Sequence, residues 1–215
     1  MTQRLSRRDA LQTSSLAIAG GLPLAGCLRA PTNGEPDGPL VDEGFESPLD
    51  GWKTRAAIGS EVSVDEFEWT VERSDERADG GDWSLRIFTE GDHDDGVAWA
   101  VRPVELDAER TETFRVSVNA WSESESFNTL RNLTLYLGPE EPTREEDFPA
   151  PGETGAPTGG GLREPLHQTA GWHDYGFEWS PEHLRTDRLY LAVGVAVVWE
   201  ADATHFVDNV RVVIV

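Results

Sequence analysis

From Val41 to the end of the chain, apolar residues recur at every second position and never at the 3.6-residue spacing of a helix. The stretch RVSVNAW, Arg115 to Trp121, shows the pattern plainly. Val116, Val118 and Ala120 point one way, while Arg115, Ser117, Asn119 and Trp121 point the other. A chain with this period buries its apolar faces only by building sheets and laying one against another. The runs are short and separated by Gly, Pro and acidic clusters. Strands are expected near 41–46, 61–64, 67–73, 83–89, 97–104, 113–121, 133–137, 172–179, 189–199 and 206–214. Only 180–187 has the makings of a helical turn. Such an element list predicts an all-β antiparallel sandwich or barrel.

The 215 residues leave room for one export segment and one domain with a full core. Lys+Arg number 18 against 40 Asp+Glu, a net charge of −22, and Lys53 is the only lysine. That balance excludes nucleic acid and anionic lipid surfaces as partners. Eight Trp and eight Phe among alternating Val and Leu separate the chain from disordered acidic tails. The composition is that of a folded protein working in strong salt. The Debye length there is only ~3 Å at 1 M, so recognition has to work by contact.

The N-terminus reads SRRDALQTSSLAIAGGLPLAGC. Arg7-Arg8 precedes a weakly apolar, uncharged run that ends in Leu24-Ala25-Gly26-Cys27, too interrupted for a membrane span. It resembles a twin-arginine signal joined to a lipobox, as in many haloarchaeal lipoproteins, although Ala10 stands where the twin-arginine pattern prefers Phe. The resemblance implies a signal peptide over 1–26, a lipidated Cys27 with a Pro/Gly linker over 27–40, and a domain over 41–215. The protein would then sit on the outer face of the cytoplasmic membrane, touching it through the anchor alone. Cys27 is the only cysteine, which rules out a disulfide within the chain. One connection inside the domain, Gly138 to Gly171, is long and rich in Pro and Gly, with Phe148 and Leu162 as its apolar anchors.

Three stretches carry a further resemblance: DEGFESPLDGW, ADGGDWSLRIFTEGDHDDGVAW and THFVDNVRV. They are similar to the galactose-binding-like jelly-roll family, which includes many carbohydrate-binding modules. The resemblance implies an antiparallel jelly-roll β-sandwich with a glycan as ligand. It also implies a structural calcium between the first and last strands, with Glu46 and Asp208 supplying carboxylates and carbonyls of the 82–84 segment completing the shell.

The residues themselves suggest where a sugar would bind. If the strands near 113–121 and 133–137 pair, Arg115, Asn119 and Trp121 share a face with Asn132, Thr134 and Tyr136. Sugars present C–H faces that lie on aromatic rings and hydroxyls that need fixed donors and acceptors. Asn132-Leu133-Thr134 also spells a glycosylation sequon, inside an expected strand. Two acidic groupings are weaker candidates. Asp92, His93, Asp94 and Asp95 could hold a metal but read better as a solvated turn. Glu105, Asp107 and Glu109 brush against the acidic motif of laminarinase-type glucanases, yet they follow Pro103 and lie in a strand end. The reading is a non-catalytic glycan-binding domain. A glucanase-like or lyase-like enzyme, and a surface adaptor with a protein partner, are its alternatives. Cys27→Ser is expected to release the protein to the medium or leave an uncleaved precursor, read by intact mass and membrane partition. One lipid chain binds only marginally, so stable retention requires two chains or added contacts.

Overall fold

Among the described residues the period-two runs form eleven strands in two antiparallel sheets. The computed structural model describes residues 38–93, 95–106, 112–123, 130–166, 170–199 and 201–215. The expected signal segment, Cys27 and the expected linker as far as residue 37 lie outside the described residues, as do Asp94, Asp107 and Glu109. In the six-stranded sheet, β3 (Trp69–Ser74), β4 (Ser84–Thr89), β11 (Ala203–Ile214), β6 (Phe114–Ser122) and β9 (Gly171–Trp179) follow one another. Strand β1 (Val41–Glu43) lies beside the later half of β11. In the five-stranded sheet the order is β2 (Lys53–Ala57), β5 (Val97–Glu105), β10 (Arg188–Trp199), β7 (Leu130–Gly138) and β8 (Gly160–Pro165). This is the jelly-roll β-sandwich expected from the sequence.

The interior follows the alternation. Val116, Val118 and Ala120 of β6 pack in one cluster with Leu133, Leu135 and Leu137 of β7, all 0–1% exposed. These two strands therefore face each other across the core instead of pairing within one sheet. Local expectations shift elsewhere too. The strand expected at 61–64 is absent; β2 lies earlier, and a short 3-10 turn at Val64–Glu66 is capped by Ser63. Strand β1 stops at Glu43 because Phe45 adopts φ +56° and buries its ring completely. Pro103 is tolerated within β5 because β2 pairs only as far as Val101, leaving that stretch a local edge. No helical turn forms at 180–187.

Strand β10 is apolar on both sides. Leu189, Leu191, Val193 and Val195 face the interior, while Ala192 and Ala196, on the outer side, are also buried. A strand of this kind needs cover on both faces. On the outer side the cover is a strap, residues 139–159. Its Phe148 packs edge-on to Trp99 at 5.4 Å and to Tyr136 at 6.3 Å, forming a second apolar cluster with Val97, Val101 and Ala192. Glu141 pairs with Arg55 at 2.6 Å and Lys53 at 3.5 Å, and Glu145 pairs with Arg163 at 2.7 Å. The Tyr136 hydroxyl bonds Thr158 Oγ1 at 2.9 Å. Glycines permit the close approach: a Cβ on Gly161 would lie 2.6 Å from Pro149 Cγ, and one on Gly194 would lie 2.5 Å from Trp99 Cβ. The long connection thus splits into a strap and β8, whose Leu162 joins the main core.

One buried cation ties the sheets together at an end of the sandwich. Arg131 of β7 is fully buried and crosses to the six-stranded sheet. There it donates to Thr89 Oγ1 at 2.9 Å and to the carbonyls of Glu90 (3.1 Å) and Ala201. Burial pushes its pKa down to about 10, opposed by the charges of Asp202 and Glu90. Because Phe148 is 3% exposed and closes the strap, Phe148→Ala is expected to cost roughly 3–5 kcal/mol in urea denaturation. Retention of parental stability would mean that the ion pairs alone hold the strap.

Candidate functional site

The outer face of the six-stranded sheet remains open. Strand register aligns Glu72, Arg86, Phe206, Trp121 and Trp172 in one row across β3, β4, β11, β6 and β9. Strands ~4.8 Å apart make this row about 19 Å long. The neighbouring row brings Asp208, Asn119 and Asp174 side by side. Trp121 and Trp172 are half-buried. Trp121 meets the buried Phe206 edge-on at 5.6 Å, and the guanidinium of Arg77 lies 4.0 Å from its ring centroid. Asn119 Nδ2 donates to Asp79 Oδ2 at 2.6 Å. Beyond the row, a depression of about 290 Å³ is lined by Phe88, Glu123, Asp202 and Thr204, among others.

The loop 75–83 beside Trp121 is pinned from below. Strand β11 bulges between Asp208 and Arg211, where Asn209 takes φ +50°, a left-handed conformation that Asn tolerates. Asp208 is fully buried there. Its Oδ2 accepts from Asp79 N at 2.9 Å and Gly80 N at 3.0 Å, and its Oδ1 accepts from Asn209 N at 2.7 Å. Burial pushes the Asp208 pKa above the ordinary aspartate value, against these three N–H donors. Glu46 Oε1 accepts from Asp82 N at 2.9 Å and Trp83 N at 3.0 Å. Glu46 and Asp208, the pair expected to hold calcium, thus both grip this loop through backbone N–H groups. Among the described residues no three acidic, His or Cys side chains gather into a metal site. A hard cation here would have to draw the rest of its six to eight oxygens from carbonyls.

The six residues expected to line one groove fall into two separate sets. Arg115, Asn119 and Trp121 look outward from the six-stranded sheet. Asn132, Thr134 and Tyr136 look outward from the five-stranded sheet, on the opposite side of the molecule. The reason is physical: β6 and β7 turn their apolar faces toward each other, so their polar faces must point apart. Asn132, Thr134 and Tyr136 are also 7%, 0% and 0% exposed, with Tyr136 bonded to the strap. Arg115 sits at the edge of its face in an exposed pair with Glu178 at 2.6 Å. Phe206, Trp172 and Arg77 escaped the sequence reading. The alternation of Trp172, Asp174, Gly176 and Glu178 was legible; its register against Trp121 was not.

No protein-family model matches the chain, and no curated protein matches it. Solved structures do. TmCBM61, solved with β-1,4-galactotriose, is similar at TM-score 0.50 and 12% identity, with 80% of this chain and 95% of that one covered. The CBM22-1 xylan-binding domain of Paenibacillus barcinonensis Xyn10C is similar at TM-score 0.52 and 15% identity, covering 82% and 94%. A third structure, described as a carbohydrate-binding module of the β-sandwich superfamily with promiscuous specificity, is similar at TM-score 0.52 and 16% identity, covering 80% and 60%. The fold is that of carbohydrate-binding modules.

Of the other acidic groupings, His93 and Asp95 line a shallow depression with Glu61. Glu90, 6% exposed, bonds His93 Nδ1 and thereby raises the His93 pKa above its ordinary value. Asp92 and Asp95 of that turn are exposed. Glu105 pairs with Arg188 at 2.8 Å on the surface. Asp208→Ala leaves three N–H groups without their acceptor and is expected to cost about 2–4 kcal/mol in urea denaturation. Melting of the parent with a chelator, at low magnesium, tests for calcium. A drop that Asp208→Ala abolishes assigns an ion to the clamp; unchanged melting assigns the clamp to hydrogen bonds alone.

Proposed function

We propose that the domain binds a glycan without catalysis, on the outer face of the six-stranded sheet, with Trp121 and Trp172 as the stacking surface. The observation that carries this reading is the cross-strand pair of half-exposed Trp rings beside Asn119 and Asp174, on the sheet face left open by the strap. Aromatic rings take the C–H faces of sugars, and neighbouring amides and carboxylates take their hydroxyls. The fold shared with sugar-binding modules supports the ligand class. The acidic composition fits contact recognition in strong salt. We further propose that Cys27 anchors the exported protein at the outer face of the membrane, and that calcium bound at the clamp would use Glu46 and Asp208.

A second reading has its own observation. Beneath the strap, Trp99 Nε1 and Thr134 Oγ1 are buried without a hydrogen-bond partner, and they flank Gly194 in one register row. A sugar hydroxyl on that row would satisfy both, once the strap lifted from Trp99 and Tyr136.

Glycan titration in molar salt separates the two. Trp121→Ala is expected to weaken binding by ~2 kcal/mol or more, about thirtyfold. Asn119→Ala is expected to cost about 1 kcal/mol. The interior Val116, Val118 and Ala120 face is untouched by either change, so melting should hold. Affinity that ignores Trp121→Ala but rises when the strap is shortened would move the site to the five-stranded sheet.

A further inference from the structure

The platform at Trp121 carries a cation that the rest of the molecule leaves unclaimed. Several other arginines are neutralised: Arg55 by Glu141, Arg86 by Glu72, Arg102 by Glu43, Arg115 by Glu178, Arg163 by Glu145 and Arg188 by Glu105. Arg73, which stacks on Trp83, spends its N–H groups on the carbonyls of Phe45 and Glu46. Arg77 is exposed, and among the described residues it forms no ion pair. The neighbouring carboxylate of Asp79 is already engaged, with Oδ2 accepting from Asn119 Nδ2 at 2.6 Å and Asn209 Nδ2 at 2.9 Å. An unpaired guanidinium thus rests on the Trp121 ring at the open sheet face.

Its position is also built. Ser84 is fully buried and donates its hydroxyl to the Arg77 carbonyl at 2.5 Å. Two residues on, Asp79 N and Gly80 N are held by the buried Asp208 carboxylate. The loop backbone is therefore fixed on both sides of the point where the side chain leaves it. The exposed side chain alone is free to lift from the ring.

We propose that Arg77 selects a glycan bearing an anionic substituent, the ring stacking on the Trp121–Trp172 surface and the anion taking the guanidinium fork. This inference rests on the glycan reading above and names the ligand class for the same site. A planar guanidinium meets a carboxylate or sulfate through two parallel N–H···O bonds, which adds geometric selection to charge. The net charge of −22 opposes an anionic ligand at long range. In molar salt that repulsion is confined to ~3 Å, while a contact pair at Arg77 persists. Asp208 acts here as a positioning residue, through the loop that presents Arg77.

The test is a titration in molar NaCl with three probes: a neutral β-1,4-galactan oligosaccharide, an oligogalacturonate and a sulfated galactan oligosaccharide. The parent is expected to bind at least one anionic probe about tenfold or more tighter than the neutral one, as one charge-assisted contact provides. Arg77→Ala should erase that preference, and Arg77→Lys should restore it only in part, since an ammonium lacks the fork. Carboxylated and sulfated probes identify which anion is taken. Anionic affinity unchanged in Arg77→Ala, or neutral affinity raised by it, overturns the inference; Arg77 would then be a cover on Trp121. Neutral binding alone in the parent overturns it too while sparing the glycan reading. Absence of binding to every probe overturns both.

Discussion

The constraint that organises this molecule is that the centre of its five-stranded sheet, around β10, is apolar on both faces. The interior of the sandwich absorbs one face. The other, with Trp99, Val101, Tyr136 and Ala192, would stand in water if nothing lay on it. The strap answers that need with Phe148 in the middle and carboxylates at Arg55, Lys53 and Arg163. Burial of an aromatic side chain is the larger contribution, because exposed ion pairs contribute little and strong salt screens them further. Covering this sheet leaves the six-stranded sheet as the broad open face, and the half-exposed tryptophans lie there.

A second dependence runs through Asp208. An ionised carboxylate inside a protein needs donors, and this one has three backbone N–H groups from the loop it holds and from its own bulge. Those bonds set the course of residues 75–83, and with it the place of Arg77 over Trp121. A residue of the last strand thereby shapes the surface at which a ligand is proposed to bind. Arg131 plays a comparable part at the end of the sandwich, where the carbonyls of Glu90 and Ala201 converge on a buried guanidinium. Buried contacts of this kind are screened by salt far less than surface pairs.

Carboxylates are plentiful here, and several of the described ones are paired. Glu105 and Glu178 each face an arginine on the surface, and Glu90 is buried against His93.

Much of this was legible from residues alone. Period-two alternation dictated an all-β sandwich or barrel, because either buries Val116, Val118 and Ala120 while wetting Arg115 and Ser117. Phe148 was visible as an anchor of the long connection. Alternation states which side of a strand a residue occupies; it is silent on which strand lies alongside. Only the tertiary structure decided that β6 and β7 oppose each other across the core, sending Trp121 and Tyr136 to opposite surfaces. It also decided that Trp172 lines up with Trp121, that the strap closes one face, and that Asp208 grips backbone N–H groups. Those outcomes depend on contacts between segments far apart in the chain, where register and crossing are set by how the whole core packs, and a local pattern carries no trace of them.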